Sequence, residues 1–414
     1  MMSAKLFVTT NGPGEVMGWL RPFLRATYQL EPDADVTAVV LPCPYATGHE
    51  AQMVEQLFPK ARVVDVRAYG NFLVGRSVPG MQRASGGALQ YLGGDLFHAV
   101  TIAKRLNLLP MTYKFSKRSY GRVFARFFAV DEQNAQTLRS DGAPPDRVRV
   151  VGNLVYDAVM GSLQAPPAPP GVGSGVCILP GSRPYEIKFL TPFFLGVARE
   201  LHRLRPDTQI TFVLPPFTGT EELRAGIEHA GDPKLFGVAG RFDAAHDAIE
   251  LDGMRARVDR SGDYQSMASA QLVISIPGTK CVEAAVLGRP LLVAIPLNRV
   301  DEIAMNGVGA YLHHIPFVGR PLKTWLVRAV ARRFEYMAQP NIDAGRMIAP
   351  EVRGILQPAE VAHKAVALLG APQDLLRMGA ELGALYVQHA GAAERMASEA
   401  LSLTARLNAQ PVTV

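Results

Sequence analysis

Two short stretches in the second half of the chain combine glycine, hydroxyl, cation and carboxylate at spacings that could hold an anion. The first is Leu179-Pro180-Gly181-Ser182-Arg183, with Glu186 after it; the second is Ile276-Pro277-Gly278-Thr279-Lys280, with Glu283 after it. Each closes an apolar, strand-like run and opens a helical pattern. A glycine turn in that position exposes backbone N–H groups at the positive end of a helix dipole, which suits phosphate. Ser182 and Thr279 would add hydroxyl donors, Arg183 or Lys280 a charge, and Glu283 an acceptor for ribose hydroxyls. Taken singly, either turn also reads as an ordinary helix cap. Two in one half, both with cation and carboxylate, favour a site. Neither is a Walker loop, because the Gly-x-x-x-x-Gly-Lys-Ser/Thr spacing is absent, and no Gly-x-Gly-x-x-Gly follows the first strand.

The elements that must position these turns alternate along the chain. Strands are expected at Lys5–Thr10, 36–41, 62–66, 127–130 and 148–151, with helical stretches between them. Residues 164–175, QAPPAPPGVGSG, carry no apolar periodicity and read as a linker. The pattern then restarts with strand Val176–Leu179, a helix over 185–203, and strands at 209–214, 272–276 and 291–295. This alternation predicts an α/β fold of two halves, each a parallel sheet covered on both faces. The expected division is an N-terminal domain 1–163, a linker 164–175, a C-terminal domain 176–369, and helices over 370–414 able to return to the N-terminal domain. Ligands in such sheets bind at the carboxyl ends of the strands, which directs attention to a cleft between the halves.

Composition narrows the function classes. The chain has 414 residues, 48% hydrophobic and 19% charged, as in a globular protein of two ordinary domains. No apolar run approaches the roughly 18 residues of a membrane span, and the N-terminus lacks the apolar core of a signal peptide. Cys43, Cys177 and Cys281 are too far apart to suggest a disulfide frame or a metal site, so a cytoplasmic setting is expected. The net charge of +6 is unevenly spread. Residues 96–130 contain no Asp or Glu, yet hold Lys104, Arg105, Lys114, Lys117, Arg118, Arg122 and Arg126 among many aromatic and aliphatic side chains. Arg320, Lys323, Arg328, Arg332 and Arg333 cluster beside Trp325. Such mixtures suit an anionic membrane surface, or they are solvated faces over a normal core. Nucleic acid is the weaker reading, because no nucleic-acid-binding motif accompanies the charge.

The motifs also carry a resemblance. Leu179-Pro180-Gly181-Ser182-Arg183-x-x-Glu186 resembles the Leu-Pro-Gly-Ser-Arg-x-x-Glu motif of the lipid-A-disaccharide synthase family. Gly278-Thr279-x-x-x-Glu283 is similar to that family's Ser-Gly-Thr-x-x-x-Glu, with Pro277 in place of the serine. Gln339-Pro340-Asn341-Ile342-x-Ala344-Gly345-Arg346, then Pro350-Glu351, resembles its Leu-Pro-Asn-x-x-x-Gly-Arg…Pro-Glu segment. Val151-Gly152-Asn153-Leu154-Val155-Tyr156-Asp157 is similar to its Val-Gly-His-Pro-x-x-Asp. In the first half, Gly14-Glu15-x-x-Gly18 matches part of Gly-Glu-x-Ser-Gly-Asp, but Met17 replaces the serine and Trp19 the aspartate. The family's Asp-Phe-Pro-Asp segment has no clear counterpart; Leu92-Gly93-Gly94-Asp95-Leu96-Phe97-His98 stands in that region.

The resemblance implies a GT-B fold, two Rossmann-like domains facing across a cleft, with the nucleotide held mainly by the second. It implies an inverting glycosyltransferase that moves an N-acetylglucosamine-type sugar from a UDP-sugar to a lipid-linked acceptor other than the family's own. No resident cofactor or metal is required. The partners implied are the UDP-sugar, the lipid acceptor and an anionic membrane at the inner face of the cytoplasmic membrane, with no nucleic acid and with a homodimer left open. Gly181, Ser182, Arg183, Glu186, Gly278, Thr279, Lys280 and Glu283 would hold the nucleotide, with Asn341 and Arg346 shaping its pocket. A base must take the acceptor's proton as UDP leaves. Asp95 is the first candidate, with His98 and Glu15 as alternatives. A helix cap for Asp95, a buried side chain for His98 and a helix N-terminus for Glu15 compete with those roles. A UDP-N-acetylglucosamine 2-epimerase, or a non-catalytic nucleotide-sugar or lipid-binding relative, would share the same scaffold.

Overall fold

The computed structural model describes residues 5–43, 46–83, 86–169, 172–299 and 335–409. The chain divides into two compact units, residues 1–162 with 386–414, and residues 163–385. The basic cluster around Trp325 lies outside the described residues.

The first unit is built on a seven-stranded parallel sheet. Its strands are β1 (Lys5–Thr10), β2 (Asp35–Val40), β3 (Arg62–Val64), β4 (Ala88–Tyr91), β5 (Leu109–Tyr113), β6 (Arg126–Ala129) and β7 (Val148–Val150). Their order is β3-β2-β1-β4-β5-β6-β7, so the winding reverses between β1 and β4. Burial on both faces explains why β1 and β2 are almost continuously buried instead of alternating. The helices used below are α1 (Arg21–Leu30), α2 (Val66–Leu73), α3 (Leu96–Leu106) and α4 (Leu154–Met160). Between Glu15 and α1 the chain makes a turn of π-helix, Val16–Leu20, a rare form that is frequent at functional sites.

The second unit holds an eight-stranded sheet of β8 (Val176–Leu179), β9 (Ile210–Val213), β10 (Arg241–Asp243), β11 (Ala248–Leu251), β12 (Met254–Asp259), β13 (Leu272–Ser275), β14 (Leu291–Pro296) and β15 (Glu351–Gly354). The order is β10-β11-β12-β9-β8-β13-β14-β15, with antiparallel pairing only among β10, β11 and β12. Here the winding reverses between β8 and β13, paired in register from Leu272 opposite Val176 to Ser275 opposite Leu179. The helices of this unit used below are α5 (Pro184–Leu204), α6 (Thr279–Val286), α7 (Gln339–Ala344), α8 (Pro358–Leu369) and α9 (Pro372–Tyr386), and α10 (Ala392–Ala409) follows in the first unit.

The structure departs from the sequence pattern in three places. The Pro/Gly-rich stretch is a strap laid on the second unit, with Ala168 N–H bonded to the Ala268 carbonyl and Ser174 N–H to that of Ser269 (3.2 and 3.0 Å). Arg289, fully buried, clamps the strap from below by donating to the carbonyls of Ala168 and Val172, and also to those of Ala270 and Leu287. The C-terminal helices are not one block from residue 370. Leu375 of α9 sits in the core of the second unit and Met378 accepts the Leu291 N–H through its sulfur, so the return to the first unit begins at Tyr386. There, Asp157 accepts the Gly391 and Ala393 N–H groups (2.9 and 2.6 Å) and thereby caps α10, which packs on α1 and α4. Finally, most aromatic residues of 96–130 are core: Tyr113, Phe124, Phe127 and Phe128 are at most 1% exposed, whereas Phe97 and Phe115 are 55% and 44% exposed.

Candidate functional site

Both polar glycine turns leave the sheet of the second unit at its switch point, one from β8 and one from β13. In the first, Gly181 adopts φ +139°, and a Cβ there would fall 2.4 Å from the Cβ of Glu186. That close approach lets Glu186 fold back over the turn. Its Oε2 accepts the Ser182 and Arg183 N–H groups (2.7 and 3.1 Å), and its Oε1 accepts the Tyr185 hydroxyl (3.0 Å). Arg183 in turn donates to the Tyr185 oxygen (3.2 Å) and lies 3.8 Å from Glu186. Burial, with Glu186 beside it, pushes the Tyr185 phenol up to about 12, so it remains a neutral bridge. The carboxylate therefore sits over two of the N–H groups that the sequence suggested for phosphate.

The second turn is more open. Gly278 has φ +147° with nothing within 4 Å of a Cβ built on it, and α6 starts at Thr279. Lys280 pairs with the nearly buried Glu283 at 2.8 Å, and its ammonium lies 5.7 Å from the centre of the Tyr264 ring. Asn341, expected to shape the pocket, is fully buried and used up: it donates to Ala349 O and Glu351 (2.8 and 3.0 Å) and accepts the Ile348 and Ala349 N–H groups (both 2.9 Å). Its place is that of a clamp on 337–351. Arg346 lies at the surface, 2.8 Å from Glu381 of α9.

In the first unit, Glu15, Asp95 and His98 lie at the other switch point, on the turn after β1 and at the start of α3 after β4. The two turns interlock: a Cβ on Gly93 would lie 2.5 Å from Asn11 Oδ1 and 3.2 Å from Glu15 Cγ, and Thr9 Oγ1 donates to Gly93 O (3.2 Å). Tyr91 is buried beside them, donating to Gly94 O (2.7 Å). Burial, then the charges of Glu15 and Asp95, raise its pKa far above normal. Asp95 is the N-cap of α3, accepting the Phe97 N–H at 2.8 Å, and it pairs with Lys117 at 3.2 Å. Partial burial pushes its carboxyl up, but the Phe97 N–H and Lys117 outweigh that and hold it below its ordinary value. His98 meets the hydroxyl of Tyr69, from α2, through Nδ1 at 2.8 Å, and burial lowers its pKa against the pull of Asp95. Trp19, on the π-turn, stands edge-on to Tyr113 (5.6 Å, 78°) and tilted against Phe115 (6.1 Å). Tyr69 and Tyr185 escaped the sequence reading. Tyr185 sits inside a recognised motif, but Tyr69 reaches His98 only through the fold.

Comparison with known proteins adds to this geometry. No family model matches the chain. It is 29% identical over 234 residues to a lipid-A-disaccharide synthase of Syntrophus aciditrophicus, covering 55% of this chain and 49% of the relative. It is 30% identical over 243 residues to that of Anaeromyxobacter dehalogenans, covering 56% and 50%. By sequence, the chain is a divergent relative of the lipid-A-disaccharide synthases. It spans about half the length of the curated relatives it matches. Among solved structures, the UDP-GlcNAc 2-epimerase of Neisseria meningitidis bound to UDP-GlcNAc aligns with a TM-score of 0.55 at 14% identity, over 96% of this chain and all (100%) of that one. The S. aureus MnaA–UDP co-structure aligns with a TM-score of 0.54 at 15% identity, over 95% of each chain. These likenesses show the fold, which is GT-B.

Proposed function

We propose that this chain is a UDP-sugar-dependent glycosyltransferase that moves an N-acetylglucosamine-type sugar, with inversion, to a lipid-linked acceptor. One observation carries the reading. In a relative of the lipid-A-disaccharide synthases, the motif turns of the second unit flank the sheet's switch point, where α/β sheets bind ligands. The neighbouring fold of a protein solved with UDP-GlcNAc supports the same donor. In this reading, the turn N–H groups of 278–280 and the cations Arg183 and Lys280 take the diphosphate, and Glu283 meets a ribose hydroxyl. Charge developing on the departing UDP is then stabilised by groups already in place.

The turns after β1 and β4 serve the acceptor. Asp95 is ionised at neutral pH and is our candidate for the group that takes the acceptor hydroxyl's proton, with Glu15 the second carboxylate at the same strand ends. No helix among the described residues is long and apolar enough to cross a membrane. Exposed Phe97 and Phe115, with Lys104, Lys117 and Arg118 nearby in sequence, would instead bring the protein to an anionic surface at the inner face of the cytoplasmic membrane.

The test is acceptor-dependent UDP release from UDP-GlcNAc in the presence of a bacterial total lipid extract, beside calorimetric binding of UDP. Asp95→Asn, which still caps a helix well, should leave UDP affinity intact and lower turnover at least tenfold. No UDP or UDP-GlcNAc binding would sink the proposal. Acceptor-free conversion of UDP-GlcNAc to its 2-epimer would replace it with the epimerase reading.

A further inference from the structure

Tyr69 is fully buried, and the partner of its hydroxyl is Nδ1 of His98 at 2.8 Å. A buried hydroxyl hydrogen without an acceptor costs about 1–3 kcal/mol. If Nδ1 carried the ring proton it would donate to the Tyr69 oxygen, and the hydroxyl hydrogen would be left without that acceptor. If Nδ1 is bare, it accepts the hydroxyl hydrogen and both groups are satisfied. The ring proton must then sit on Nε2, since a neutral imidazole carries one donor and one acceptor.

We infer that Tyr69 is a positioning residue that fixes His98 as a neutral Nε2–H donor, so that His98 holds an oxygen of the acceptor instead of removing its proton. The inference rests on the reading of this strand-end cluster as the acceptor side. Its surroundings agree with a neutral ring. The Tyr69 ring stands nearly perpendicular to the imidazole with centroids 5.4 Å apart, and the Phe97 ring stands 5.5 Å away. Asp95, one turn earlier, favours the charged ring, but its carboxylate is engaged by Lys117 from the loop after β5. Burial pushes the Tyr69 phenol up to about 12, outweighing the downward pull of Arg105 further along α3, so the hydroxyl keeps its hydrogen. Burial lowers the affinity of the imidazole for a second proton, which would also force Nδ1–H against the Tyr69 hydroxyl. Division of labour follows: the carboxylate end of the cluster takes the proton, and the imidazole end orients the hydroxyl that loses it.

The tautomer can be read without any substrate, by long-range 1H–15N NMR of the full chain at neutral pH. His98→Gln identifies the signals. The expected pattern has hydrogen on Nε2, and Tyr69→Phe should relax it toward a mixture while raising the midpoint of His98 titration. An Nδ1–H ring in the unsubstituted protein, or a midpoint unmoved by Tyr69→Phe, would overturn the assignment. In the UDP-release assay, His98→Gln places an amide N–H near Nε2 and should stay within about tenfold of the parent, whereas His98→Ala should lose about a hundredfold, the range one to two hydrogen bonds can supply. Equal loss in both variants would mean that His98 moves a proton and would refute the donor role. Absence of UDP release by the unsubstituted protein would count against the proposed function alone, because the NMR result stands without it.

Discussion

Removing the Glu186 carboxylate tests whether the first glycine turn is held by the protein itself or waits for its ligand. Three donors converge on that side chain: the Ser182 and Arg183 N–H groups and the Tyr185 hydroxyl, at 2.7, 3.1 and 3.0 Å. The carboxylate is only 12% exposed, while Arg183 is 42% exposed, so water can replace some of the lost bonds but not all. A net 1.5–3 kcal/mol for a charged hydrogen bond would be an upper value for each, and helix caps measure about 0.5–2 kcal/mol. Glu186→Ala should therefore destabilise the second unit by about 2–3 kcal/mol, or about 4–12 °C in melting temperature for a unit of this size. Glu186→Gln keeps an acceptor without its charge and should lose about half as much. Calorimetric melting of the variants with and without UDP gives both numbers. Unchanged melting together with abolished UDP binding would refute the reasoning, for the carboxylate would then be reaching for ligand and not for its own turn.

Arg289 holds four backbone carbonyls with no carboxylate nearby in its hydrogen bonds, and burial lowers its pKa to about 10. Arg289→Met should cost about 3–5 kcal/mol, because Ala270 O and Leu287 O stay buried without a donor, and it should expose the 163–175 strap to proteolysis; resistance equal to the parent's would count against the clamp. Glu351 is pushed up by burial, but the Ala338 and Met337 N–H groups, Asn341 and Arg353 outweigh this and leave its pKa below the model-peptide 4.5. A carboxyl depressed in the folded state gives stability that is present above its unfolded pKa and is lost as pH falls through the folded one. Thermal stability of the second unit should accordingly fall on acidification below about pH 4.5, and Glu351→Gln should flatten that slope; an identical slope in the variant would show that other groups govern it.

Much of the scaffold was readable because parallel strands buried on both faces announce themselves as short apolar runs. β1 and β8 begin and end where the pattern placed them, and other expected strands shift by a residue or two. β4 escaped because it is four residues long and carries a buried Gln90. The β11–β12 hairpin escaped although its signal was present: Asp252-Gly253 lies between Leu251 and Met254, and both turn residues have positive φ, 45° and 80°. At the site, residue types were legible but destinations were not. Asn341 and Glu186 are polar residues in motif positions, and only the fold reveals that their hydrogen bonds go to backbone a few residues away. Likewise, the spacing of Tyr69 and His98 carries no pattern; α2 and α3 bring them together from separate crossovers of one sheet.

The two switch points differ in how they manage charge, and the difference bears on what each could accept. At β8/β13 each cation is answered within its own turn, Arg183 by Glu186 and Lys280 by Glu283. Both pairs are short in sequence and only partly exposed, so the site stays close to neutral and avoids the cost of isolated buried charge. A diphosphate arriving there would compete for cations already in position, an exchange of partners with little net desolvation. At β1/β4 the local ion pair is Asp95 with Lys117, Glu15 is a second carboxylate beside Tyr91, and aromatic rings pack around them: Trp19 against Tyr113 and Phe115, and Tyr69 against His98. Two carboxylates at these strand ends disfavour a polyanion there. Trp19 stands where the lipid-A-disaccharide synthase motif has an aspartate, so the departure from that motif falls on the side to which the proposed function assigns the acceptor. On the proposed function, a change confined to this cluster would redirect acceptor choice while leaving the donor turns, in a separate unit of the chain, free to keep their own motif.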